Sequence, residues 1–144
     1  MQLVRSKSLV RVLAAVSFVV SLYASPNAIA SEQEAECMNH VQNKISWDYD
    51  GRKQWETANI EKLCKGTTKP KEPGECFNKI MQGQVKWGSD DKWDWKNAVS
   101  LCSGTDNSDE RISCFKTKID AGDNWNTAIL DCQISGKVGL NKKM

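Results

Sequence analysis

From Cys76 the apolar positions Phe77, Ile80, Met81 and Val85 follow helical spacing, with Gly83 weakening the end of the stretch. The preceding Glu72-Pro73-Gly74-Glu75 supplies turn residues, a proline suited to a helix start and negative charge for the positive end of a helix. After a polar loop, Gly88-Ser89-Asp90-Asp91, the residues Trp95, Ala98, Val99 and Cys102 fall at i, i+3, i+4 and i+7, on one face of a second helix. Ser103-Gly104 ends that helix, as Lys65-Gly66 ends its counterpart earlier in the chain. The pattern predicts a pair of antiparallel helices.

The pair occurs three times, each copy framed by cysteines: 37–64, 76–102 and 114–132. Each copy opens with Cys and an apolar residue (Met38, Phe77, Phe115) and carries a Trp (Trp55, Trp95, Trp125). An Ala follows three residues after the Trp (Ala58, Ala98, Ala128), and Cys closes the copy. The first copy holds two extra residues between Ala58 and Cys64. The predicted fold is all-α: three tandem disulfide-stapled αα-hairpins packed into one small domain, because no hairpin can bury its apolar face alone. An antiparallel hairpin whose first helix begins at one Cys and whose second ends at the other brings the two together. That favours Cys37–Cys64, Cys76–Cys102 and Cys114–Cys132, each staple contributing about 3–4 kcal/mol in the chain-entropy model. A rival pairing of Cys64 with Cys76, Cys102 with Cys114 and Cys37 with Cys132 stays open.

Composition adds a compartment. Residues 1–30 have the form of a secretory signal peptide: Arg5, Lys7 and Arg11 precede an uncharged run, Val12 to Ala24, too short to span a bilayer, and Ala28-Ile29-Ala30 offers a cleavage site. The expected organisation is a leader over 1–30, a helical repeat domain over 31–136 and a basic tail over 137–144. Export to a secreted or periplasmic location would make six cysteines available for disulfides. Loss of the leader takes three of the 20 Lys and Arg and leaves 17 against 18 Asp and Glu, so no basic face argues for nucleic acid and no stable membrane anchor is expected.

Candidate chemistry is sparse. The inter-helix loops are acidic, with Asp48 and Asp50, then Asp90, Asp91 and Asp94, then Asp120 and Asp123. Asp48-Tyr49-Asp50-Gly51 has the opening of a calcium loop, but Asn59 stands where the closing acidic ligand belongs. Helix capping is the better account, and Asn107, three residues before Glu110, is a further predicted cap. Neither metal nor cofactor is expected. His40, the one histidine, is expected to face solvent or a partner, and no carboxylate pair has the spacing of a hydrolytic site. Trp55, Trp95 and Trp125 are expected as core anchors. Trp47, Tyr49, Trp87 and Trp93 lie at or near loops and form the candidate binding surface, for another protein or, in the alternative, for a glycan. The expected function is an exported, non-enzymatic interaction protein of the inhibitor, immunity or host-interaction kind.

Overall fold

The computed structural model describes residues 26–48, 51, 54–86 and 92–138, with the side chains of 26–31 and 134–138 excepted. Residues 1–25 of the expected leader, Tyr49, Asp50, Trp87, Asp90, Asp91 and the tail beyond Val138 lie outside that description. Among the described residues there are six helices and no strand: α1 (Pro26–Lys44), α2 (Thr57–Cys64), α3 (Glu72–Met81), α4 (Trp95–Cys102), α5 (Ser108–Asp120) and α6 (Trp125–Val138).

They form three hairpins, α1 with α2, α3 with α4 and α5 with α6, each closed by its own disulfide. The bridged Cα atoms lie 5.7, 5.6 and 5.8 Å apart in Cys37–Cys64, Cys76–Cys102 and Cys114–Cys132, which excludes the rival pairing. The opening cysteines do not start their helices: Cys76 and Cys114 sit more than a turn's start inside α3 and α5, and α1 begins well before Cys37. The hairpins stack in two layers, α1–α3–α5 on one side and α2–α4–α6 on the other. Phe77, Phe115, Leu63, Leu101, Ile80 and Val41 are fully enclosed between them. Gly74 allows the close approach of α3 to α1, since a Cβ there would lie 3.0 Å from Ile45 Cγ1 and 3.1 Å from Val41 Cγ2.

The closing cysteines lead into equivalent turns, Cys64-Lys65-Gly66-Thr67 and Cys102-Ser103-Gly104-Thr105. Both glycines have positive φ, 80° and 59°, and both threonines are buried with their hydroxyls folded back on the turn. Thr67 Oγ1 donates to the Lys69 carbonyl at 3.0 Å, and Thr105 Oγ1 donates to that of Asn107 at 3.0 Å. The two turns then lock together. Gly104 N–H donates to the Leu63 carbonyl at 2.8 Å and Ser103 Oγ to that of Lys62 at 2.5 Å. The Asp106 carboxylate accepts from Thr68 N–H (2.6 Å), Thr68 Oγ1 (2.9 Å) and Lys69 N–H (3.1 Å), with Thr67 Oγ1 3.0 Å away sharing its one proton between this carboxylate and the Lys69 carbonyl. Burial works to raise its pKa, but these donors together hold it below the ordinary carboxylate value.

Elsewhere along the turn end, at the first hairpin and at the second junction, charged or polar side chains replace the backbone. Gly66 N–H, counterpart of the Gly104 N–H, donates to Glu34 Oε1 on α1 at 2.6 Å. The Leu101 carbonyl, counterpart of Leu63, accepts from the buried Arg111 guanidinium at 3.0 Å, and Gln133 Nε2 donates to the Ser100 carbonyl as Ser103 does to Lys62. The backbone groups of these turns that lack a backbone partner are thus satisfied by side chains.

Candidate functional site

Helix starts decide which tryptophans are free to act. Counted back from the closing cysteines, the N-caps of α2, α4 and α6 are Glu56, Asp94 and Asn124, so all three helices reach their Cys over the same length. The two extra residues expected in the first repeat therefore vanish from the structural register. Trp55 matches Trp93, not Trp95, and both stand just before the cap. Each is buried, 7% and 6% exposed, and each indole N–H donates to a carbonyl at the end of the facing helix: Trp55 to Ile45 at 3.0 Å, Trp93 to Val85 at 2.8 Å. Trp93 also lies 4.9 Å from Phe115, centroid to centroid, under the third hairpin.

This corrects the sequence reading of Trp93 as a surface residue. It is a core anchor with its one polar atom satisfied. Ala58, matched to Ala98 and Ala128 by sequence, is exposed, and Ile60 takes the buried position instead. Trp95 and Trp125, expected as anchors, occupy the first turn of α4 and α6 and are only half-buried, packed on the edge of the core.

Among the described residues the half-buried aromatics are Trp47, Trp95 and Trp125, and the first two meet. The ring centroids of Trp47 and Trp95 lie 4.6 Å apart, and Trp47 also meets Trp55 edge-on at 4.8 Å and Phe77 at 6.3 Å. Both rings are thereby held in place while remaining partly exposed, with Lys96 Nζ 5.4 Å over the face of Trp95. Beside Trp47, the chain ends of α1 and α3 border an open cleft of about 500 Å³. Ser46, Asp48, Gly51, Gln82 and Lys92 line its walls, and the buried Met81 lies at its base. Asp48 and Lys92, from different hairpins and each engaged in interactions of its own, place one acidic and one basic side chain in its lining.

The remaining candidates take structural roles. Asp94 caps α4 through Lys96 N–H at 2.8 Å, and Asn107 caps α5 through Glu110 N–H at 3.1 Å, as expected. Asp123 pairs with Lys118 at 3.5 Å, and Lys118 also bonds Asp131 at 2.8 Å, a contact that with its charge raises the lysine pKa. Among the described residues no cluster of three His, Cys, Asp or Glu is placed to hold a metal ion. His40 is only half-buried: it packs against Gly74 at the α1–α3 contact, and its Nε2 is enclosed without a hydrogen-bond partner. Tyr49 and Trp87 lie outside the described residues, so of the four predicted site tryptophans and tyrosine only Trp47 is placed on the candidate surface.

Sequence reasoning missed Trp95 and Lys92 as site residues. The signal was present in Asp94: a capping residue between two tryptophans puts the first before the helix, where it can fold under, and the second on its exposed first turn. No protein-family model, curated protein or solved structure matches this chain.

Proposed function

We propose that the chain is an exported, non-enzymatic binding protein whose inter-helix loop face meets another protein, in an inhibitor, immunity or host-interaction role. The observation that carries the reading is the juxtaposition of the Trp47–Trp95 pair with the cleft between Asp48 and Lys92, on a scaffold stapled by three disulfides. Aromatic rings held rigid and half-exposed are the residues that dominate protein contacts, and a scaffold already ordered loses little freedom on binding.

Three disulfides and the absence of any free cysteine among the six fit an oxidising compartment, consistent with a secreted or periplasmic location. No helix of the described residues is long and apolar enough to cross a membrane. Cleavage after Ala30 would trim α1 to start at Ser31 and would leave Glu34, which closes the first turn, in the mature chain.

The test is capture of partners from the exported fraction by the wild-type chain and by Trp95→Ala and Asp48→Ala/Lys92→Ala. A protein retained by the wild type and lost from both variants, with melting temperature preserved, supports the reading. Retention by both variants places the contact elsewhere, and binding to a glycan array in place of any protein establishes the carbohydrate alternative.

A further inference from the structure

The two junctions between hairpins use equivalent positions but are completed differently. At the first, the segment 103–108 lies across the turn below it: Asp106 seats its carboxylate on Thr67, Thr68 and Lys69, and Ser108 N–H donates to Glu72 Oε2 at 2.7 Å. One repeat later, the counterparts of Thr67, Thr68, Lys69 and Glu72 are Thr105, Asp106, Asn107 and Glu110. These four, with Arg111 and the Cys114–Cys132 disulfide, line a cleft of about 80 Å³. Among the described residues no turn of the third hairpin enters it, because α6 continues to Val138 where α4 stops at Cys102.

That volume suits the tip of one carboxylate-bearing side chain. The chemistry of the walls repeats that of the filled site. Asn107 N–H donates to Thr105 Oγ1 at 3.2 Å, as Lys69 N–H does to Thr67 Oγ1 at 3.1 Å while also reaching Asp106. The Asp106 N–H is the counterpart of the Thr68 N–H. Asp106's own carboxylate is turned away, onto Thr68. Arg111 places a guanidinium where Pro73 stands in the first site, while Asn107 replaces Lys69 and the Asp106 and Glu110 carboxylates act on the Arg111 charge. Arg111 is 4% exposed and spends one guanidinium nitrogen on the Leu101 carbonyl, while the group as a whole offers five donors. Glu110, like Glu72, offers an acceptor for a backbone N–H two residues beyond the seated carboxylate.

We propose that this cleft is a docking site for an acidic side chain on an extended turn segment of a protein partner, of the Asp-Asn-Ser form that the chain itself seats at its first junction; the carbonyls of Ser100 and Leu101, counterparts of those that take Ser103 and Gly104 there, are here met by Gln133 and Arg111. It lies apart from the loop face and stands without it. The probe is the acetylated and amidated hexapeptide Ser-Gly-Thr-Asp-Asn-Ser, the sequence of 103–108, titrated into the intact disulfide-bonded protein and followed by amide nuclear magnetic resonance. The peptide is expected to shift the Asp106 and Asn107 amides saturably. Its Asn-for-Asp form should bind about tenfold more weakly, as loss of charge-assisted hydrogen bonds implies. Arg111→Gln should weaken binding to a similar degree, and should that variant not fold, Arg111→Lys, which keeps the charge but loses the planar fork, together with the two-peptide comparison, carries the test. Asp48→Ala should leave peptide binding unchanged, which separates failure here from failure of the loop face. Absence of shifts at Asp106 and Asn107, or equal affinity for the two peptides, overturns the proposal. Acetate reproducing the shifts with the peptide's affinity overturns recognition of a segment.

Discussion

The turn end of the stack and the loop end are built from the same repeats, yet they are finished in opposite ways. At the turn end, polar groups are paired: Gly104 N–H on the Leu63 carbonyl, the Asp106 carboxylate on donors of the preceding turn, Glu34 on Gly66 and Arg111 on the Leu101 carbonyl. At the loop end, Trp47 and Trp95 lean on each other with part of each ring in solvent, and the hairpins part around a cleft. Satisfied polar groups in a tight junction hold a stack in register, whereas half-exposed rings on fixed supports present apolar area that a partner can cover. In this molecule the interlocked turns lie at one end and the half-exposed indoles at the other.

The largest expected effect tests whether the anchors are where the register puts them. Trp93→Ala should lose about 3–5 kcal/mol by removal of a buried ring and the cavity left beneath Phe115. Equal melting temperatures for Trp93→Ala and Trp95→Ala in calorimetry would erase the distinction between buried and surface indoles. Next comes Gly104→Ala. A side chain at φ +59° costs about 1–3 kcal/mol in backbone strain alone, and its Cβ would overlap the Lys65 carbonyl oxygen. Gly83→Ala at the loop end, where nothing lies within 4 Å of a Cβ, bears only the conformational part. The difference between the two in denaturant unfolding therefore measures how tightly the turn end is packed.

Asp106→Asn should cost about 1.5–3 kcal/mol near neutral pH, the range for hydrogen bonds to a charged group. Because the folded-state pKa of Asp106 lies below its ordinary value, its contribution is complete above the unfolded carboxylate range and is lost as pH falls through the folded value. The wild type should thus lose stability on acidification more steeply than Asp106→Asn, and parallel pH profiles would remove the carboxylate from the junction. The smallest effect belongs to the loop end. Trp95→Ala should cost about 0.5–1.5 kcal/mol, the worth of its contact with Trp47, while abolishing partner capture if the loop face is the binding surface.

Much of this architecture was legible in residue order. Spacing of Trp95, Ala98, Val99 and Cys102 on one helical face, glycines after Cys64 and Cys102, and the caps Asp94 and Asn107 are local features, and local hydrogen bonding and side-chain periodicity are sufficient to specify them. The same locality explains the disulfides: once each hairpin forms, its bookend cysteines are neighbours whatever the other hairpins do. The expectation that His40 faces outward holds only in part, because His40 packs against α3, brought close by Gly74, a contact between repeats that the pattern of α1 does not encode.

The choice between Trp93 and Trp95 shows where residue order ends and tertiary structure takes over. Both are one residue from Asp94, and both fit a helical face in a repeat aligned by its tryptophans. The decision lies in what each ring meets: before the cap, Trp93 folds beneath the hairpin to the Val85 carbonyl and Phe115, while on the first turn Trp95 is left at the rim beside Trp47. Likewise Asp106 reads as a turn residue in sequence and becomes the clasp of the first junction only when the preceding turn is stacked beneath it. The chain by itself determined the three stapled hairpins, because helix periodicity, caps and short closures are local; which indoles are core, which are surface and how the turns interlock depended on the packing of one hairpin upon the next, where burial and hydrogen-bond satisfaction are settled between residues far apart in sequence.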